Sequence, residues 1–118
     1  MMRIYRALLV ASLVSVAAPA LGQSDFNGGS EIQRADYVSA EKVIEKTRRM
    51  FPHDVDLMFN LATVYLHTGR TAQALALYRE VLSMPDEALA VSAGQEVSAH
   101  ALAQAGMRRI EPLNLSAR

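Results

Sequence analysis

Between Asp54 and Pro85 the chain reads DVDLMFNLATVYLHTGRTAQALALYREVLSMP, and this stretch limits what the rest can become. Met58, Leu61, Ala62 and Tyr65 recur at i, i+3, i+4 and i+7, which lays one apolar stripe along a helix. Ala74, Leu77, Tyr78, Val81 and Leu82 repeat that spacing in a second helix. Gly69 stands between them, where the first helix must end in a left-handed residue that glycine adopts without steric cost. Pro85 closes the unit, since it cannot continue a helix and biases Met84 away from helical angles. The pattern predicts two short helices folded back on each other at Thr68-Gly69-Arg70.

The spacing Met58-x-x-Leu61-Ala62-x-x-Tyr65, followed by Ala74-x-x-x-Tyr78 and then a proline, resembles the tetratricopeptide repeat, a helix–turn–helix unit of about 34 residues. Met stands where that pattern prefers Trp, Ala for Gly, and Tyr for Phe, each of similar packing role. One repeat length before Ala74, Tyr78 and Val81 lie Ala40, Ile44 and Thr47. Asp36 to Met50 therefore looks like the second helix of a preceding repeat whose first helix is missing or vestigial. Once a short insertion after Pro85 is allowed, Ala99, Leu102 and Gly106 match Ala62, Tyr65 and Gly69, so residues 93–106 resemble the first helix of a following repeat. The resemblance covers residues 36–106 and implies a short α-solenoid of antiparallel helix pairs, about four helices in all. No strand-like alternation is evident, so the expected class is all-α. The last of these helices is expected from about Asp86 to Ala105, with Leu89, Ala93, Val97 and Ala101 as its stripe.

The first 22 residues are of another kind. Arg3 and Arg6 precede an apolar run from Ala7 to Ala18, and Pro19-Ala20-Leu21-Gly22 ends in small residues. This is the layout of a cleavable signal peptide, cut after Gly22 or after Ala20, and it predicts a periplasmic protein that meets the membrane only during export. The run is short for a membrane span, which needs about 20 residues. The chain has no cysteine, so neither a lipid anchor on sulfur nor a disulfide staple is available. Residues 23–35 read as a flexible linker around Asn27-Gly28-Gly29-Ser30, with Glu31 to Ala35 as a short helical lead-in. Residues 107–118 are expected to be a fraying C-terminal tail.

Asp36 and Asp54 are placed to cap the two helices that follow them, and the acidic pair Asp86-Glu87 to open the last one. Twelve basic residues balance twelve acidic ones, and without Arg3 and Arg6 the balance turns slightly acidic. That argues against nucleic-acid binding, which needs a concentrated basic surface.

No constellation of catalytic residues emerges. His53, His67 and His100 are not spaced as ligands, so no metal and no cofactor is expected. Ser98 and His100 on one helix point to different sides, which argues against a nucleophile and base. Glu41 and Glu45 lie among lysines and read as a solvated face.

What remains is surface. The resemblance implies that the first helix of each repeat lines a concave groove for an extended peptide or a partner helix. Carried over, that face is Asp56, Phe59, Asn60, Thr63 and His67, with Leu66 at its edge. Phe59 lies off the core stripe, and Asn60 is placed to offer its amide to a peptide backbone. The blander reading of Phe59 is packing on a tyrosine of the neighbouring helix. The function expected is non-catalytic protein–protein interaction through this groove. Its alternative is a structural or regulatory subunit that self-associates or docks on a larger envelope assembly, because so short a solenoid has little neighbouring surface to bury its faces against.

Overall fold

The computed structural model describes residues 26–92 and 94–116, with the side chains of Ser92 and of residues 112–116 left aside. The signal-peptide segment and its cleavage position lie outside these residues. The order of elements is α1 (Gly29–Gln33), α2 (Tyr37–Met50), α3 (Val55–His67), α4 (Thr71–Ser83), β1 (Ala88–Ser92), β2 (Gln95–Ser98) and α5 (Ala99–Ser116). Each of α2 to α5 packs on its neighbour in sequence, as in a solenoid.

One core runs through the stack. Ile44 from α2, Met58, Leu61 and Val64 from α3, Val81 from α4 and Ile110 from α5 are all at most 1 % exposed. Burying each of these side chains stabilises the fold by about 1.5–3 kcal/mol. Ala40, Ala62, Ala74 and Ala103 are fully buried between them. Their small side chains let the helix backbones approach closely.

The helix ends follow from local chemistry. The Asp36 carboxylate accepts from Ser39 N at 3.2 Å, and Asp54 accepts from Leu57 N at 3.2 Å, so both expected caps form. At the end of α3, Gly69 has φ +79°. Arg70 N donates to Tyr65 O at 2.7 Å and Gly69 N to Leu66 O at 3.4 Å, the paired bonds of a Schellman turn. Met84 is extended ahead of Pro85, and α4 stops there.

Three expectations need correction. The stretch after Pro85 does not begin a helix: β1 and β2 form an antiparallel hairpin, so the fold is mostly helical with a small sheet rather than all-α. Leu89 and Val97, expected on one helical stripe, are cross-strand partners, and Gly94 supplies the left-handed turn residue at φ +75°. Helix α5 begins only at Ala99, then continues through Gly106 and the expected tail to Ser116, held by the buried Ile110. Finally, part of the expected linker is docked. Gly28 is buried against Ile44, and Thr47 Oγ1 lies 2.7 Å from Phe26 O, to which it donates. The vestigial first helix of the leading repeat is α1, which brings the helices among the described residues to five.

Candidate functional site

Helix α3 presents one side toward α5, and α4 forms the floor between them. The resulting hollow of about 260 Å³ takes Phe59, Thr63, Leu66 and His67 from α3, Tyr78 from α4, and Leu102, Gly106 and Arg109 from α5. Phe59 is half-buried, with its ring tilted at 43° to Tyr78 and 5.9 Å away. It thus packs on the tyrosine of the neighbouring helix and still lines the hollow. Burial raises the Tyr78 phenol above its ordinary pKa, and the nearby positive charge of Arg109 acts in the opposite sense.

The five residues expected on this face are not all brought together. Phe59, Thr63 and His67 line the hollow, while Asp56 and Asn60 do not. Thr63 Oγ1 donates to Phe59 O at 3.0 Å, so its proton is used within its own helix. The His67 ring stacks on Tyr37 of α2 at 4.8 Å and 9°, joining the face to the preceding helix. Asp56 is exposed near the start of α3, and partial burial, then the charge of Asp54, raises its pKa. Asn60 does offer its amide to a peptide backbone, but the acceptor is Asn27 O of this same chain, at 2.8 Å.

Sequence reasoning missed the far wall. Leu102, Gly106 and Arg109 fall at i, i+4 and i+7, one face of a helix, but the helix was expected to end at Ala105. Tyr78, on the apolar stripe of α4, is 7 % exposed and also floors the hollow.

The residues weighed for catalysis serve structure. Ser98 Oγ donates to Asp86 Oδ2 at 2.7 Å and accepts from Ala101 N at 3.1 Å. Asp86 Oδ1 accepts from His100 N at 2.9 Å, so the two side chains cap α5 together. The Asp86 pKa falls, first through the His100 backbone bond and then through Ser98. The His100 ring meets Met84 O at 2.7 Å, not the serine. Glu41 is no merely solvated surface carboxylate: Arg70 grips it with two bonds of 3.0 and 2.6 Å. The same guanidinium lies 4.7 Å over the Tyr65 ring. Among the described residues, no three acidic or histidine side chains converge on a metal-sized site.

The profile of the tetratricopeptide repeat matches residues 31–93, more than half of the 118-residue chain. No curated protein and no solved structure matches it. A stack of helix pairs closed by a Schellman turn at Gly69, with small buried alanines at its contacts and the repeat profile running across α2 to α4, makes this chain a member of the tetratricopeptide-repeat family.

Proposed function

We propose that the protein is a non-catalytic, periplasmic interaction module that binds a peptide or partner helix in the hollow between α3 and α5. Tetratricopeptide repeats generally mediate protein–protein interaction, and the family is typically non-catalytic. The observation that carries the finer reading is the hollow itself: a half-buried aromatic, Phe59, sits between the first helix of the central repeat and the helix that follows that repeat. An apolar side chain of the partner would bury against Phe59 and Leu102, and Arg109 at the rim would favour an acidic group beside it. The periplasmic placement rests on the segment before residue 23.

The test is affinity capture of the tagged mature protein from cell-envelope extract, beside Phe59→Glu and Arg109→Glu variants of unchanged helicity. A partner held by the parent chain and lost from both variants is the expected outcome. Identical captures from all three would remove function from the hollow and favour a structural subunit acting through its outer faces. N-terminal sequencing of the protein from the periplasmic fraction should read Gln23 or Leu21 first. An intact Met1 would overturn the export reading.

A further inference from the structure

The segment Phe26–Gln33 lies against α2 and against the Asn60 side of α3. Asn60 Nδ2 donates to Asn27 O at 2.8 Å, and Thr47 Oγ1 donates to Phe26 O at 2.7 Å. Gly28, at φ +77°, fits against Ile44 only because it lacks a side chain, since a Cβ there would lie 2.8 Å from Ile44 Cγ1. Beyond these points the segment adds Ile32, a partly buried side chain packed against the core. No residue of α1 is buried, and the Phe26 side chain is 70 % exposed.

The hinge that joins this segment to α2 is strained. Ala35 N donates to Ile32 O and Asp36 N to Glu31 O, the paired bonds of a Schellman turn. The residue that such a turn places in the left-handed region is normally glycine, yet here it is Ala35, at φ +60°. At Gly69 the same turn has its glycine.

We propose that Phe26–Gln33 is a displaceable strap, a built-in occupant of Asn60 beside the hollow, which an extended peptide running from the hollow along α3 must replace. The strap presents to Asn60 the group that a peptide ligand would present, a backbone carbonyl in an irregular segment. Its release frees the Asn60 amide, leaves the Thr47 hydroxyl to Val43 O of its own helix at 3.0 Å, and relieves Ala35 of its left-handed angle. This regulation rests on the reading of α3 as the partner face.

Native-state hydrogen exchange on the full mature chain tests whether the strap opens alone. The amides of Ile32, Arg34, Ala35 and Asp36, all hydrogen-bonded in the docked form, should exchange at least about tenfold faster than those of α3, through an opening insensitive to low denaturant. Ala35→Gly should slow that opening several-fold, and Gly28→Ala should speed it while α3 to α5 keep their protection. Exchange of the strap at the rate of α3 would make it a fixed part of the fold and overturn the proposal.

A labelled peptide of sequence Phe26–Ala35 gives the binding arm. It should bind saturably to the Gly28→Ala chain, whose own strap cannot seat, more weakly to the parent, and not when Asn60→Ala is added. Where Gly28→Ala fails to fold, Thr47→Val removes the Phe26 anchor instead. No saturable binding to a folded, strap-released variant would overturn the proposal. The two readings fail separately: a strap that opens alone beside a partner indifferent to Phe59→Glu sinks the groove, whereas the reverse pair of results sinks the strap.

Discussion

Gly106 sets how closely α4 and α5 approach. An added Cβ would lie 2.6 Å from Tyr78 Cζ and 2.7 Å from Cε2, well inside contact distance. In an ordinary helix interior, exchanging glycine for alanine stabilises by about 0.5–1 kcal/mol. Here the ring is 7 % exposed and also packed on Phe59, so it has little room to move. We therefore expect the sign to reverse, with Gly106→Ala destabilising by about 1–3 kcal/mol through overpacking. Thermal unfolding followed by circular dichroism decides it. A raised Tm would show that Tyr78 swings into the hollow at little cost. Single residues also mark what the sequence could tell. That Asn60 offers its amide to a peptide backbone was implied by the resemblance to the repeat family. That the backbone belongs to residue 27 was not legible, because turn-rich Asn27-Gly28-Gly29 gives no periodic signal of docking.

At the scale of elements, α2, α3 and α4 were legible because period, caps and turn residue agree at each of them. The hairpin was not. Its strands are five and four residues long, too short to establish a period of two, and their alanines favour helix. Leu89, Ala93, Val97 and Ala101 also fall four apart, which imitates a helical stripe. Gly94 was the local signal, a glycine between Ala88–Ser92 and Gln95–Ser98 whose φ of +75° makes the turn. With the helix start misplaced, α5 was cut short and Arg109 was left outside the candidate site. The tie between elements that the sequence hid is Glu41–Arg70, which fastens α2 to the turn between α3 and α4. The Arg70 guanidinium holds the Glu41 carboxyl below its ordinary value of 4.5. A carboxyl depressed by folding stabilises fully above its unfolded pKa, and that contribution is lost as pH falls through the lower, folded value. Glu41→Gln should accordingly lower Tm at neutral pH, and the gap from the parent should close as the solution is acidified well below 4.5. A gap that persists in acid would mean that Glu41 acts by packing and not by charge.

At the scale of the whole molecule, the question is how fewer than two full repeats among the described residues remain folded. A solenoid needs polar outer faces at both ends. At one end, the side chains of α5 that are described and exposed are Ala101, Gln104, Arg108, Arg109 and Glu111, mostly polar. At the other, α1 and Gly28 lie over α2, where Ile44 would otherwise meet water, and Ile32 packs against the same core. The hairpin adds Leu89, which is 7 % exposed, to that core between α4 and α5. Among the described residues, the large apolar groups left exposed are Phe26, Val38, Met50, Phe51 and Val91. Within the described residues, the chain thus supplies its own cover at both ends of the stack. The expected consequence is a cooperative thermal transition whose Tm does not change over a hundredfold range of protein concentration, roughly the range that would shift a folding-linked dimer by several degrees. Light scattering on the same samples should report the monomer mass. A Tm that climbs with concentration would instead transfer part of the apolar cover to a second copy, and the exposed Val38 and Phe51 would be the first residues to substitute in locating that contact.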